Sequence, residues 1–382
     1  MHNKTDTIMK LENPFIVSGY VSDKLFCDRV QETRDLTTLV VNGNHVALLS
    51  PRRIGKTGLI CHLFEQPQIK QNYYTVLVDI YATKNLDEFV SVLGRGILQA
   101  LLSRGKKAAM AFVNGLQSLR SGIGFDINGN PTWNLELGDI HTPQVTLDEI
   151  FEYIRHADKP CLIAIDEFQV ISHYPDSSTE ALLRTYIQHC TNARFIFAGS
   201  QRNMMGNIFL SAARPFYQSA TMMNIGALPL NRYTPFAQRL FSQYGKDLDE
   251  HVVEQVYQRF EGVTWYMQRI MNQLFAQTPA GASCTPDMID SAIHAVLASN
   301  SYTYESLLFQ LPLKQKALLM AIAKAGKATS LTSSSFIKRY HLQSASSVQS
   351  AVKGLLDKDF ITMHLGVYEV YDKFFAQWLL QQ

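Results

Sequence analysis

Residues 45–58 read HVALLSPRRIGKTG, and this stretch decides the fold. A short apolar run ends at Leu49, a turn follows at Ser50 and Pro51, and a helical pattern begins at Thr57. The segment matches the phosphate-binding pattern G-x-x-x-x-G-K-[ST], except that Ser50 stands where the first glycine is usual. Serine is small and proline presets a turn, so the stretch predicts a strand, a phosphate-binding loop and a helix.

Each residue type in this loop has a chemical reason. Gly55 allows close approach of the backbone to a phosphate, Lys56 supplies a mobile cation, and Thr57 supplies a hydroxyl for Mg²⁺. The helix that follows points its N-terminus at the anion. A chance basic turn is the competing explanation. The predicted ATP-binding residues are Ser50, Pro51, Arg52, Arg53, Ile54, Gly55, Lys56, Thr57 and Gly58, with Lys56 also assigned a catalytic role.

Two adjacent acids follow a second apolar run. Residues 161–165 are apolar and end in Asp166 and Glu167. In open α/β sheets, ligands bind at the carboxyl ends of the strands. We expect Asp166 to act as a Mg²⁺ ligand with Thr57, and Glu167 to polarise the attacking water as a general base. The alternative is that the two acids are simply solvated at the end of a strand.

Three further polar residues are candidates for catalysis. The apolar run 194–198 ends near Ser200, which is expected to lie between the other two strand ends and contact the γ-phosphate or the water. An ordinary polar loop is the alternative. Arg202 and Arg214 are candidate arginine fingers, and Arg214 is the favoured one because Pro215-Phe216-Tyr217 could fix its direction. A purely structural arginine is the competing interpretation.

The first half alternates strands with helices. Strands are predicted near 45–49, 74–79, 161–165 and 194–198, and helices separate them, which is typical of a parallel sheet with helices on both faces. Asn85 is a predicted helix cap, and 146–149 and 177–180 fit capping boxes. Alternating residues around Asn128-Gly129 predict a β-hairpin inserted at the sheet's edge, near 122–140.

The second half is helical and then changes character. We expect a P-loop ATPase core over 1–230, a helical domain over 231–312 and a third domain over 313–382. In the last domain, helices are predicted over 314–324, 333–340 and 344–356, followed by a hairpin around Leu365-Gly366.

The charge of the last domain invites two interpretations. Residues 313–382 contain nine Lys and Arg but four Asp and Glu, for a net charge of +5, which suggests DNA binding. The predicted reading helix, however, carries only Lys353, which is little charge for neutralising phosphates. Docking of this domain on protein is therefore favoured over docking on DNA.

Composition excludes several classes of protein. Hydrophobic residues make up 46% of the 382 residues and charged residues 18%, so a folded core is expected. The sequence has no apolar run long enough to span a membrane and no signal-peptide pattern. The five cysteines lack CxxC spacing and the eleven histidines lack HExxH spacing. We expect a reduced, cytoplasmic protein with no membrane partner.

These pieces together resemble a known family. The chain is similar to the archaeal-type ATPases of the STAND branch of AAA+-related P-loop proteins, including the forms common in Bacteroidetes. Beside the loop and the acid pair, the resemblance is carried by segments in chain order: 13–15, 26–29 with Glu32, 199–200, 214–217 and 262–266. It implies that 13–32 lies beside the adenine, that 231–312 is a helical lid and that 313–382 is a winged helix. The family's lid motif G-x-P has Thr264 in place of its proline.

The most favoured function is therefore an ATP- and Mg²⁺-dependent ATPase that acts as a nucleotide-dependent conformational switch. ATP and ADP are its expected ligands, and a protein client or self-association is the expected partnership. An ATP-gated DNA-binding protein and a scaffold that binds nucleotide but barely hydrolyses it are the alternatives. The presence of Glu167 disfavours the scaffold.

Overall fold

The computed structural model describes residues 12–136 and 139–382, apart from the side chains of Arg120 and Ser121. The chain forms two compact units. The core unit comprises Ser18–Arg232 and Val263–Trp265; the helical unit comprises 12–17, Tyr233–Gly262 and Tyr266–Gln382. Leu137, the last residue of the alternating pattern in the predicted hairpin, lies outside the described residues.

The core unit alternates strands and helices as the apolar periodicity predicts. Its strands are β1 (Val46–Leu49), β2 (Tyr74–Asp79), β3 (Ile123–Phe125), β4 (Pro131–Trp133), β5 (Cys161–Asp166), β6 (Ala193–Gly199) and β7 (Thr221–Asn224). Its helices are α1 (Val30–Val41), α2 (Lys56–Glu65), α3 (Pro67–Asn72), α4 (Leu86–Leu102), α5 (Lys106–Gly115), α6 (Pro143–His156), α7 (Thr179–His189) and α8 (Arg202–Leu210).

Five strands form one parallel sheet in the order β2-β5-β6-β1-β7. Alternate residues of a strand face opposite sides: Ala47 and Leu49 pack with α4 to α8, whereas Val46 and Leu48 pack with α1 to α3. The predicted class, a parallel sheet with helices on both faces, is confirmed. The order also puts β6 between β1 and β5, which is why their three polar ends meet.

Two features of the sheet differ from expectation. The sequence analysis did not identify β7, which pairs with β1 through the register Leu48↔Met223. The predicted hairpin is present as β3 and β4, but it is a separate two-stranded sheet and not an edge of the main one. Trp133 of this hairpin lies against Gly94 of α4, where a side chain larger than hydrogen would collide with the indole.

The helix caps were predicted with mixed success. Asn85 caps α4 by accepting from the Glu88 N–H at 3.1 Å, as predicted. Both capping boxes are wrong: α6 begins at Pro143, with Thr146 already inside it, and Glu149 accepts from Ser118. In the second, α7 begins at Thr179 and its capping residue makes no side-chain cap bond. The Glu149 and Glu180 carboxylates instead bond Ser118 and Arg214, which are distant in sequence.

The helical unit contains helices α9 (Leu230–Gln243, whose first residues belong to the core unit), α10 (Glu250–Phe260), α11 (Thr264–Gln277, likewise), α12 (Met288–Phe309), α13 (Leu313–Ala325), α14 (Ser334–Arg339), α15 (Ala345–Asp357) and α16 (Lys373–Leu379). Its strands form two short pairs: β8 (Asp247–Leu248) with β9 (Ser283–Cys284), and β10 (Ile361–His364) with β11 (Val367–Val370).

The C-terminal part has the predicted winged-helix pattern. Three helices precede the hairpin, whose turn residues Leu365 and Gly366 both have positive φ, at 50° and 79°. A further helix, α16, was not predicted. It buries Phe374 against Phe260 and Tyr266, with ring centroids 5.2 and 5.0 Å apart. The winged helix is thus joined to the helical region by an aromatic contact.

Charges strengthen the same contact. Glu261, at the end of α10, accepts from Lys327 at 2.7 Å and from Lys373 at 2.6 Å. These bonds lower the pKa of the Glu261 carboxyl, Lys327 having the larger effect. Lys373 also donates its backbone N–H to the Tyr266 hydroxyl at 3.0 Å. Two lysines that contribute to the domain's positive charge are therefore bonded to protein.

Among the described residues, no helix is long and apolar enough to cross a membrane. The five cysteines are free thiols, and four of them are buried.

Candidate functional site

The polar ends of three neighbouring strands meet at the carboxyl edge of the main sheet. β1 leads into Ser50, β5 ends in Asp166, and β6 leads into Ser200. All three residues are buried, which is unusual for polar residues at the end of a strand. The predicted loop, acid pair and third polar residue therefore lie at one place.

The loop from Ser50 to Thr57 contains two residues with positive φ. Arg53 and Gly55 both adopt the left-handed conformation, with φ of 69° and 96°. Left-handed residues in a turn can direct successive N–H groups into one concavity, which suits phosphate oxygens. A Cβ on Gly55 would meet no atom within 4 Å, but its positive φ favours glycine. Ser50 is fully buried, and its hydroxyl donates to the Pro51 carbonyl at 2.9 Å, so the usual first glycine is replaced without opening the turn.

Lys56 is the buried cation of this site. The residue is only 7% exposed at the first position of α2. Burial lowers the pKa of its ammonium, an effect that the Asp166 and Glu167 carboxylates oppose and that Arg52 and Arg202 reinforce. A cation held in partly dry surroundings next to a helix N-terminus has a strong free-energy gain on meeting an anion.

Thr57 and Asp166 are joined directly. The Thr57 hydroxyl donates to Asp166 Oδ2 at 2.6 Å, so the two predicted Mg²⁺ ligands are neighbours. In the described part of the chain no three His, Cys, Asp or Glu side chains are grouped to hold a metal. This pair fits Mg²⁺ because that ion takes few protein ligands and completes its shell with water and substrate phosphates.

Glu167 lies in a chain of hydrogen bonds that ends in the loop. Its Oε2 accepts from the Ser200 hydroxyl at 2.7 Å and from the Gln169 amide. Arg52 Nε in turn donates to Ser200 Oγ at 3.1 Å. The loop, the third strand end and the predicted base are thus connected through side chains.

An aromatic cluster holds the turn that carries Glu167. This residue has a φ of 55°, and Phe168 immediately after it is fully buried. The Phe168 ring packs on Phe197 of β6 at 4.5 Å and on Phe216 at 5.3 Å. Because a non-glycine residue rarely adopts this conformation unless its surroundings enforce it, the cluster fixes where Glu167 points.

Arg214 is not part of the loop cluster. Its guanidinium bonds to Glu180 and donates to Ser172 Oγ at 2.9 Å. Ser172 belongs to the short 3₁₀ segment Phe168–His173, so Arg214 braces the turn that follows Glu167. Arg202 is exposed at the start of α8 and acts on Lys56 through its charge.

Two further residues of this edge were not predicted as site residues. Asp79 ends β2 directly opposite Asp166. Burial raises its pKa, an effect that the Tyr81 N–H opposes and that the Asp166 and Glu167 charges reinforce. Asp79 could have been identified from the sequence, because an acid ends a predicted strand at this position. Gln169 is 2% exposed and has an Oε1 without a hydrogen-bond partner. Its sequence position gave no such signal, because a glutamine two residues after an acid is unremarkable.

Comparisons with known proteins agree with this architecture. Residues 302–381 match a family described as a probable winged helix domain, so the match begins within α12. A comparison with curated proteins finds no match.

Three solved structures are similar over nearly the whole chain. A Walker-type ATPase of Pyrococcus abyssi is 17% identical, covering 96% of this chain and 99% of its own, with a TM-score of 0.65. The ORC2 protein of Aeropyrum pernix, in ADPNP and ADP complexes, is 14% identical over 96% and 95%, with a TM-score of 0.56. The ORC1 protein of Aeropyrum pernix, in complex with DNA, is 10% identical over 97% of each chain, with a TM-score of 0.53. At such identities the likeness establishes the fold: a P-loop sheet with helices, followed by a C-terminal winged helix.

Proposed function

We propose that this chain binds ATP with Mg²⁺ through Ser50 to Gly58 and hydrolyses it. One observation carries the proposal: the Thr57 hydroxyl meets Asp166 while Ser200 meets Glu167, at the edge where the loop lies. A phosphate loop beside an acid pair at the end of a strand is the arrangement that triphosphate hydrolysis uses.

The site residues have separate roles in this proposal. The loop N–H groups and Lys56 bind the β- and γ-phosphates, and Thr57 with Asp166 hold the Mg²⁺ that neutralises phosphate charge. Glu167 accepts a proton from the attacking water, and Ser200 orients that water or the γ-phosphate. Arg214 serves as an arginine finger only when its bonds to Glu180 and Ser172 are released.

The hydrogen-bond chain gives this ATPase the features of a nucleotide-dependent switch. Arg52 is part of the loop and bonds Ser200, which bonds Glu167. A phosphate that draws the Arg52 guanidinium away from Ser200 changes the hydrogen bonds that hold Glu167. The state of the nucleotide is therefore communicated to the base, and the expected readers of that state are a protein client or a second copy of the chain.

We also propose that the chain belongs to the archaeal-type, STAND-branch ATPases and works in the cytoplasm. The support is the order of its segments, including Arg29 with Glu32 in the N-terminal region and Trp265-Tyr266 in the lid region, where Thr264 departs from the family's proline. The domain boundaries at 230/231 and 312/313 also remain predictions from the sequence.

Replacing Lys56 with alanine tests the hydrolase directly. We expect Lys56→Ala to lose ATP binding, measured by calorimetry, and phosphate release, because the loop loses its buried cation. Lys70→Ala, an exposed lysine of α3 that pairs with Glu65, is the matched control and should keep both. A Lys56→Ala protein that hydrolyses ATP like the wild type would refute the assignment.

The match of 302–381 to a winged helix domain supports a second candidate, ATP-gated DNA binding. It is the less favoured one, because α15 carries a single basic residue.

A further inference from the structure

The outward-facing carbonyls of the phosphate loop have specific donors. Ile54 O accepts two hydrogen bonds, from Arg29 Nη2 at 3.1 Å and from the Thr264 hydroxyl at 3.1 Å. The neighbouring Arg53 O accepts from the Trp265 N–H at 3.0 Å. The donors come from two segments that are remote from the loop in sequence.

The loop conformation needs such support. Arg53 is a non-glycine residue with φ of 69°, a conformation that persists only when the surroundings over-determine it. Its guanidinium lies over the Trp265 ring, 4.5 Å from the centroid, which adds a side-chain contact to the backbone bond. Because the carbonyls of Arg53 and Ile54 are bound outside, the peptide units of this stretch are fixed.

Arg29 is itself immobilised. It is 3% exposed, and its guanidinium donates to Glu32 at 2.7 Å and to the Gly226 carbonyl at 2.9 Å in addition to Ile54. A rigid, planar fork with several donors can make all three bonds at once, which a lysine cannot. Arg29 therefore ties the loop to α1 and to the segment after β7.

Thr264 makes a contact that the residue usual in this lid motif cannot make. Proline has no hydroxyl and no N–H, so a bond from this side chain to Ile54 requires a residue such as threonine. The segment Val263–Trp265 groups with the core unit, although its neighbours on both sides in sequence belong to the helical unit.

We propose that Arg29, Thr264 and Trp265 form a clamp that holds the phosphate loop in its anion-binding conformation, with Thr264 as the positioning residue that couples the lid segment to nucleotide affinity. The proposal rests on the proposed function, because it concerns the affinity of the same site. The clamp touches no phosphate; it acts by keeping the N–H groups of the loop turned towards the ligand position.

Two substitutions of Thr264 isolate the hydroxyl. Thr264→Val keeps the shape and removes the donor, whereas Thr264→Ser keeps the donor. Losing one neutral hydrogen bond should weaken ATP binding by about three- to tenfold in Thr264→Val, with kcat changed less than KM. Thr264→Ser should bind like the wild type. The matched control is Thr278→Val. It removes another buried threonine hydroxyl, which donates to Leu274 O at the C-terminal end of α11, and it should leave the affinity unchanged. Arg29→Lys should weaken binding more than Thr264→Val, since it loses several bonds.

Hydrogen exchange of the nucleotide-free protein separates this proposal from the ATPase assignment. In the absence of nucleotide, amides of residues 53–58 should exchange faster in Thr264→Val than in the wild type or Thr264→Ser. If the wild type fails to bind ATP but this difference is present, the proposed function fails and the clamp stands. Equal exchange and equal affinity in all three proteins would overturn the clamp. So would equal losses in Thr264→Val and Thr264→Ser, or a loss of thermal stability without a change in either readout.

Discussion

The carboxyl edge of the main sheet and the winged helix both carry positive charge, but they place it differently. At the sheet edge, Lys56 is buried near two carboxylates and follows a turn with two left-handed residues. In the winged helix, Lys327 and Lys373 both bond the carboxylate of Glu261, and α15 offers only Lys353.

The difference indicates which region is built for an anion. Burying a lysine is unfavourable unless a partner compensates it, so a buried lysine next to a helix N-terminus suggests a ligand that completes the site. Asp166 and Glu167 only partly offset the effect of burial on Lys56, whose pKa stays lowered, whereas Lys327 and Lys373 bond the Glu261 carboxylate directly. This contrast supports the proposals that the sheet edge is the ligand site and that the winged helix docks on protein.

The largest effect that would test the sheet edge comes from its base. Glu167→Gln keeps the size of the side chain and its contact with Ser200 but removes the ability to accept a proton. We expect ATP binding to persist and turnover to fall by about 10²–10⁴-fold, measured by steady-state phosphate release.

Glu149→Gln is the control for this change. Glu149 also accepts hydrogen bonds from a serine, Ser118, but on α6 and away from the acid pair. It should leave turnover near that of the wild type. Unchanged turnover in Glu167→Gln, with ATP still bound, would require a different base.

Arg214 offers a test of intermediate size. Arg214→Ala leaves Glu180, which is 6% exposed, without its cation, and should lower the free energy of unfolding by about 1–3 kcal/mol. Turnover should also fall, because the turn after Glu167 loses its brace. Chemical denaturation and phosphate release would measure the two effects. Arg184→Ala on α7, whose arginine bonds the neutral Gln188, is the control.

Mixing experiments decide whether Arg214 acts between molecules. If it only braces its own chain, adding Lys56→Ala protein to Arg214→Ala protein restores no activity. Restored activity that rises with protein concentration would instead establish a finger acting in trans, and would show that the bond to Glu180 opens in the assembled state.

The sequence alone predicted those parts of the site whose chemistry is local. A strand, a basic glycine-containing turn and a helix are neighbours in sequence, and so are the strand and acids of Asp166 and Glu167. The two-residue turn at Leu365-Gly366 was likewise visible. Ser200 could be predicted beside Glu167 because the ends of parallel strands meet at one edge.

Other parts depend on distant partners and left no local signal. The strand β7, TMMN, lacks alternation and is stabilised by pairing with β1. The capping-box predictions were wrong because Glu149 and Glu180 bond Ser118 and Arg214 instead. The donors to Ile54 lie 25 and 210 residues away in sequence, so no window of sequence could reveal them.

The smallest expected effect concerns DNA, and it tests the other side of the comparison. A winged helix that reads a base sequence needs side chains of its reading helix in the groove and several cations on phosphates. The exposed face of α15 presents serines, Gln349 and one lysine, Lys353.

Binding to duplex DNA should therefore be weak and unselective. We expect a dissociation constant no tighter than about 1 µM at about 150 mM salt, with a steep dependence on salt. Lys353→Ala should weaken it by no more than about threefold, as one phosphate contact among several would. Lys358→Ala, a lysine just after α15 that bonds Gln315, should do the same. Equal effects mean that the domain offers diffuse charge. Sub-micromolar, sequence-selective binding that Lys353→Ala abolishes and Lys358→Ala spares would make α15 a true reading helix, and the contrast between the two regions would no longer hold.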